Sequence, residues 1–117
     1  MHKIYYLSTC STCIRIIKDL NITTDNFMMQ DIKTEAITET QIEEMQQLSG
    51  SYEALFSRRA MKYKSMGLGS KTLQETDYKE LIQAEYTFLK RPVFIVNGEI
   101  FIGNSKKVVQ LVNEALN

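Results

Sequence analysis

Two short apolar runs close to the C-terminus, VFIV at 93–96 and EIFI at 99–102, are separated only by Asn97 and Gly98. An Asn-Gly pair between two β-prone segments predicts a type I′ turn, because both central residues of that turn need a positive φ. The two segments are therefore expected to be antiparallel neighbours. Any fold that is proposed for this chain must contain this hairpin.

The first thirty residues predict a β-α-β unit. KIYYL at 3–7 and NFMMQDI at 26–32 have the composition of short buried strands. Between them, Cys13, Ile16 and Leu20 follow the spacing of one helix face. Because such a crossover joins parallel strands, the hairpin and this unit together predict an α/β fold with a mixed four-stranded sheet.

The middle of the chain, about 36–90, predicts a helical insertion without a convincing strand. Thr38 and Gln41 have the spacing of a capping box at the start of one helix, and Gly50 is expected to end it. A short helical piece is expected around YEALF at 52–56.

Three further local predictions concern the second half of the chain. The stretch GLGS at 67–70 is expected to be a flexible connection. Thr76 or Asp77 is expected to cap the next helix, whose face includes Glu85. Ser105 is expected to cap a final helix.

The composition indicates one cytoplasmic domain over residues 1–117. The chain has 14 basic and 14 acidic residues, so no net charge favours nucleic acid or an anionic membrane. No signal peptide and no membrane span are recognised at the N-terminus. In the reducing cytoplasm, a close cysteine pair is more often catalytic, redox-sensing or metal-binding than a structural bridge.

Both cysteines lie in the stretch STCSTC, where Cys10 precedes Cys13 by three residues. At the start of a helix, free N–H groups and the helix dipole favour a thiolate, so Cys10 is expected to be the nucleophile. Cys13 lies one turn further along, on the apolar face, and is expected to resolve an adduct at Cys10. The same N–H groups could hold an oxyanion.

Two other interpretations of the pair remain open. Both cysteines could be small core residues, a description that suits Cys13 better than Cys10. A closed zinc site normally needs four ligands, and only His2 could join the two thiols, unless carboxylates or a second chain contribute. We therefore predict no metal.

Three stretches in this order, TCSTC at 9–13, SRRAMKYKSMGL at 57–68 and KRPVFIVNGEIFIG at 90–103, resemble the arsenate reductase (ArsC) and Spx family. The resemblance implies a thioredoxin-like fold, with β-α-β, helical insertion, β-hairpin and final helix. The resemblance to arsenate reductases implies one cysteine and three arginines, but this chain also has Cys13 and reads IGN at 102–104, in the place of the third arginine. In these two features the chain most resembles the CxxC-containing ArsC-like and Spx-like members.

The resemblance also implies roles for particular residues. Cys10 occupies the position of the nucleophile. Arg91 is the arginine that precedes a cis-proline, which is Pro92 in this chain. Arg59 occupies a second anion-binding position. Arginine suits these positions because its charge is permanent and its planar fork fits an oxyanion or a thiolate. Arg59 could otherwise be solvated surface charge, and Arg91 an ordinary residue before the hairpin.

Two functions follow as hypotheses. The first is a thiol-dependent reductase of an oxyanion such as arsenate, or of a disulfide, with glutathione, glutaredoxin or thioredoxin as electron donor and no tightly bound cofactor. The second is an Spx-like regulator, in which a Cys10–Cys13 disulfide changes binding to the RNA polymerase α subunit. A member that keeps the fold with little activity is a third possibility.

Overall fold

Four short strands form one mixed sheet in the computed structural model, which describes residues 2–117. The sheet order is β2-β1-β3-β4, where β1 is parallel to β2 and antiparallel to β3, and β3 is antiparallel to β4. This arrangement confirms the predicted mixed four-stranded sheet. The strands are β1 His2–Tyr6, β2 Phe27–Asp31, β3 Val93–Val96 and β4 Glu99–Ile102.

The α-helices of the described residues are numbered along the chain, and three short 3-10 helices lie between them. The α-helices are α1 Ser11–Asp19, α2 Glu39–Ser49, α3 Met61–Ser65, α4 Glu75–Ala84 and α5 Lys106–Leu116. The 3-10 helices are Glu53–Leu55, Leu68–Ser70 and Tyr86–Phe88.

The chain forms two compact units. The sheet unit comprises the residues up to Glu35 together with Arg91–Asn117, and the helical unit comprises Ala36–Lys90. That residues 1–117 form one domain with a helical insertion at about 36–90 stays a prediction.

The sheet unit has an apolar core between the strands and helices α1 and α5. Its hairpin has the predicted turn, since Asn97 and Gly98 have φ values of 53° and 78°. Ser105 caps α5, because its hydroxyl accepts a hydrogen bond from the Val108 N–H group at 3.2 Å. The buried core residues are Ile4, Ile16, Ile22, Phe27, Phe94, Val96 and Val112.

The helical unit begins with the predicted capping box. The Thr38 hydroxyl accepts the Gln41 N–H group at 3.1 Å, and the Gln41 side chain accepts the Thr38 N–H group at 3.0 Å. Gly50 ends α2 with a φ of 94°, as expected for a helix C-cap. Phe56 stacks on Phe88, with ring centroids 5.0 Å apart, in the aromatic part of this core.

Two predictions about α4 were wrong. Helix α4 begins at Glu75, before Thr76 and Asp77, with Gln74 as its N-cap. Asp77 still takes part in the cap, because its carboxylate accepts the Gln74 N–H group at 2.7 Å. Glu85 lies beyond the last turn of α4 in extended backbone.

The stretch GLGS was expected to be a flexible connection, but it contains the ordered 3-10 helix Leu68–Ser70. The expectation rested on the two glycines of this stretch. It did not consider Leu68 between them, which is buried and holds the segment against the core.

Candidate active site

Cys10 lies in the turn that joins β1 to α1 and is the N-cap residue of that helix. Its N–H group donates to the Leu7 carbonyl at 3.0 Å, and its carbonyl accepts the Ile14 N–H group at 3.1 Å. The side chain is partly exposed. The thiol is therefore at the positive end of α1 and can be reached from solvent.

The surroundings of Cys10 favour its thiolate. Partial burial acts to raise the pKa of the thiol, but the N–H and S–H groups of Cys13, the charge of Arg91 and the N–H group of Thr12 act in the opposite direction. The pKa of Cys10 is consequently below its ordinary value. Because the thiolate is the reactive form, Cys10 is suited to nucleophilic attack.

Cys13 has the opposite character. It is buried and lies one helical turn after Cys10. Burial and the nearby Cys10 together raise the pKa of Cys13 to about 11, although a hydrogen bond from the Leu7 N–H group and the charge of Arg91 act to lower it. Both cysteines are free thiols in this structure. The pair thus consists of one reactive sulfur and one protonated, shielded sulfur that donates to it.

Arg91 and Pro92 come directly before β3. Since β3 is antiparallel to β1 and Val93 pairs with Tyr5, they lie at the end of the sheet where the turn to Cys10 starts. The positive charge of Arg91 lowers the pKa of both thiols. The Arg91–Pro92 peptide bond is cis. Pro92 is buried, and its carbonyl accepts the Gly103 N–H group at 2.9 Å.

Arg59 belongs to the helical unit and is exposed. Its N–H group donates to the Ser57 hydroxyl at 3.3 Å, while its guanidinium makes no hydrogen bond or ion pair within residues 2–117. The adjacent Arg58 differs, because its Nη2 donates to Glu53 at 2.8 Å and to the Tyr78 hydroxyl at 2.9 Å. Of the two arginines, Arg59 is therefore the one whose guanidinium has no partner among the described residues.

Asp31, which the sequence patterns did not single out, lies at the end of β2. Its carboxylate accepts the Ser8 N–H group at 3.2 Å, two residues before Cys10. The only sequence signal was its place at the end of a strand parallel to β1, where side chains of neighbouring strands meet.

The described residues contain no cluster of three potential metal ligands. Across residues 2–117, no helix has both the length and the apolar character that crossing a bilayer requires.

The fold and the asymmetric thiol pair define a thioredoxin-like thiol protein. The model of the ArsC family matches residues 5–112, and the chain therefore belongs to the ArsC family. This result confirms the resemblance found in the sequence. No curated protein matches the chain as a sequence relative.

Solved structures agree with the family assignment. An ArsC family related protein from Bacteroides fragilis has a TM-score of 0.77 at 21% identity, over 95% of this chain and 97% of that one. An arsenate reductase from Vibrio cholerae has a TM-score of 0.71 at 19% identity, over 95% and 94%. An arsenate reductase (ArsC) related protein from Brucella melitensis has a TM-score of 0.70 at 19% identity, over 94% and 92%. At these identities the likeness establishes the fold.

Proposed function

We propose that this ArsC-family protein is a cytoplasmic thiol-dependent reductase of a small oxyanion such as arsenate, or of a disulfide. The observation that carries the proposal is the asymmetric pair of Cys10, with a lowered pKa, and Cys13, buried and protonated. Cys10 is the nucleophile, Cys13 the resolving thiol, and Arg59 and Arg91 stabilise anionic charge. Pro92 is the structural residue beside the pair.

With an oxyanion, the Cys10 thiolate attacks the central atom, and one oxygen leaves as water after two protons are taken up. For arsenate this forms an As–S bond and leaves arsenic in the pentavalent state. Cys13 then attacks the Cys10 sulfur, so that the As–S bond breaks and its electron pair stays on arsenic. Arsenic is thereby reduced to the trivalent state, and the two cysteines are oxidised to a disulfide. The Cys13 proton is transferred to the departing arsenite.

With a disulfide substrate, the Cys10 thiolate attacks one sulfur and displaces the other as a thiolate. Cys13 then attacks Cys10 in the mixed disulfide and releases the second substrate thiol. In both reactions an external thiol donor, namely glutathione, glutaredoxin or thioredoxin, returns the Cys10–Cys13 disulfide to two thiols. The proposal therefore needs no tightly bound cofactor.

The resolving step is consistent with the properties of Cys13 in the free protein. The neighbouring Cys10 contributes to raising the pKa of Cys13, whereas the Leu7 N–H group and Arg91 act to lower it. Once Cys10 is bonded to substrate, it no longer carries the negative charge that disfavours ionisation of Cys13. Formation of the adduct should therefore make Cys13 a better nucleophile.

The test is to supply arsenate and, separately, a small-molecule disulfide to the purified reduced protein, with each thiol donor system in turn. We expect turnover with at least one combination, and its loss in Cys10→Ser. Cys13→Ser should accumulate an adduct on Cys10 that mass spectrometry can locate. If the adduct forms on Cys13 in Cys10→Ser instead, the assigned roles are reversed.

The same preparations distinguish the reductase from the regulator. Oxidised and reduced protein would be tested for pull-down of the RNA polymerase α subunit. Binding that follows the oxidation state, without turnover of either substrate, would contradict the reductase proposal and support a redox-controlled regulator.

A further inference from the structure

The turn from Leu7 to Cys10 joins β1 to α1 and carries the Cys10 sulfur. It is closed by the hydrogen bond from the Cys10 N–H group to the Leu7 carbonyl, at 3.0 Å. Its two central residues, Ser8 and Thr9, are exposed and polar. Since an exposed turn gains little from apolar burial, its conformation depends on hydrogen bonds to the rest of the sheet unit.

The end of β2 supplies such a contact. In the parallel pair, Asp31 is in register with Tyr6, and the Ile32 N–H group donates to the Tyr6 carbonyl at 2.9 Å. This register brings the Asp31 side chain to Ser8, one of the two central residues of the turn. Its Oδ1 atom accepts the Ser8 N–H group at 3.2 Å and the Lys33 N–H group at 3.2 Å.

The backbone of Asp31 is itself fixed. Its carbonyl accepts the N–H groups of Thr34 and Glu35, at 3.1 and 2.8 Å, in the turn that follows β2. Because these hydrogen bonds hold the backbone of Asp31, its carboxylate is a well-placed acceptor for the Ser8 N–H group.

We propose that Asp31 is a positioning residue that acts through Ser8: its carboxylate holds the turn from Leu7 to Cys10 in the shape that places the Cys10 sulfur at the N-terminus of α1. The N–H groups of Thr12 and Cys13 then reach that sulfur. The inference rests on the proposed role of Cys10 as the nucleophile and adds a residue that controls its reactivity.

Asp31 is ionised at neutral pH, which strengthens the hydrogen bonds that it accepts but is not a condition for accepting them. Partial burial acts to raise the pKa of its carboxyl group, but hydrogen bonds from the Ser8 hydroxyl, the Lys33 N–H group and the Ser8 N–H group, together with the charge of Lys33, lower it below the ordinary value. A carboxylate accepts stronger hydrogen bonds than a neutral acceptor does.

The positioning effect and a direct charge effect on Cys10 have opposite signs. A nearby negative charge disfavours a thiolate, so removing the Asp31 charge would by itself lower the pKa of Cys10 and speed its alkylation. Losing the anchor would instead move the sulfur away from its N–H donors and slow alkylation. The sign of the change therefore separates the two explanations.

The experiment compares Asp31→Ala with Asp31→Asn, which keeps an oxygen acceptor for the Ser8 N–H group but loses the charge. The rate of iodoacetamide alkylation at Cys10 is followed as a function of pH, with the site verified by peptide mass spectrometry. We expect Asp31→Ala to slow alkylation at neutral pH by about five-fold, the size expected from one net hydrogen bond. Asp31→Asn should lie within about two-fold of the natural protein.

Asp25→Ala is the matched control, because it removes an exposed acidic residue from the same unit whose carboxylate makes no hydrogen bond in the described part of the chain. It should leave the alkylation rate unchanged. A faster rate in both Asp31 variants would show a charge effect only, and an unchanged rate in Asp31→Ala would show no role for the anchor. Either result would overturn the inference.

The outcome is independent of whether the substrate has been identified. If Cys10 in the natural protein ionises like an ordinary thiol, the proposed function fails at its first step. If Cys10 ionises readily in the natural protein and equally readily in Asp31→Ala, only the role of Asp31 is rejected. Far-ultraviolet circular dichroism should show that every variant is folded.

Discussion

At the scale of single residues, the properties of the site come from placing two chemically identical groups in different surroundings. Cys10 is at a helix N-terminus with donors around its sulfur, whereas Cys13 is fully buried. The donors around Cys10 thus lower its pKa, whereas burial raises the pKa of Cys13 to about 11. This difference supports the proposed order of attack, in which Cys10 reacts before Cys13.

A prediction at this scale concerns Arg91. Its charge lowers the pKa of Cys10, so Arg91→Gln should raise that pKa and slow alkylation of Cys10 at neutral pH by about three-fold, as expected for a charge near the surface. Arg91→Lys should retain most of the rate. Arg15→Gln, in which an exposed arginine of α1 is lost, is the control and should have no effect. Equal rates in all three variants would contradict the assigned role.

The two adjacent arginines of the helical unit provide a second prediction. Arg58 binds Glu53 and the Tyr78 hydroxyl, and its guanidinium carbon lies 5.7 Å from the centre of the Tyr78 ring. Arg58→Gln should therefore lower the free energy of unfolding by about 1 kcal/mol, a value that allows for the solvent exposure of the ion pair.

The Arg59→Gln substitution should affect substrate binding and not stability. Stability should be unchanged because the Arg59 guanidinium has no partner within the described residues, while KM for the anionic substrate should rise. Urea unfolding and steady-state kinetics on both variants provide the test. If Arg59→Gln were the destabilising one and Arg58→Gln the one that raises KM, the two roles would be exchanged.

At the scale of secondary-structure elements, the ends of the helices were predicted best where a single residue type has a clear physical role. Gly50 ends α2, and the capping box of Thr38 and Gln41 starts it, as their types suggest. The start of α4 was predicted two or three residues beyond the observed N-cap, because Gln74 is not a common N-cap residue. Its position becomes clear only from the hydrogen bond to Asp77.

Gly50 provides a prediction about one of these helix ends. Its φ is 94°, and a methyl group added there would meet no atom within 4 Å, so only the backbone conformation disfavours a side chain. Gly50→Ala should lower the free energy of unfolding by about 1 kcal/mol. Gly69→Ala is the matched control: φ is not positive there, and the added carbon would make an ordinary contact with Tyr63 at 3.6 Å. It should be neutral or slightly stabilising in thermal unfolding. Equal losses in both would contradict the explanation.

At the scale of the whole molecule, the order of elements could be read from the sequence because apolar periodicity and turn residues are local signals. The mixed sheet and the hairpin followed from them. The contact between Asp31 and Ser8 joins residues 23 positions apart and depends on the register of β1 and β2, which no local pattern specifies. The bonding of Arg58 was not foreseen either, because one of its two partners, Tyr78, is 20 positions away along the chain.

The pH dependence of stability is a prediction at this scale. Asp31 and Glu85 both have a pKa below the ordinary value, Glu85 mainly because Lys62 donates to it at 3.0 Å. A carboxyl group of this kind stabilises the folded state above its unfolded-state pKa, and the contribution is lost as pH falls through the lower folded-state pKa. The urea midpoint should therefore fall on acidification from the ordinary values of 3.8 and 4.5 downward.

Glu85→Gln tests this interpretation. It should be less stable than the natural protein at neutral pH, and the difference should shrink in acid, where Glu85 of the natural protein is protonated as well. A difference that is independent of pH would mean that ionised Glu85 does not contribute to stability.

The most direct test of the reactive site is a titration of the Cys10 thiol in the reduced protein, followed through the ultraviolet absorbance of the thiolate and the pH dependence of alkylation mapped to Cys10. We expect Cys10 to ionise below the ordinary value of 9.0 and well before Cys13. A Cys10 that ionises at or above 9.0, or together with Cys13, would contradict its assignment as the nucleophile.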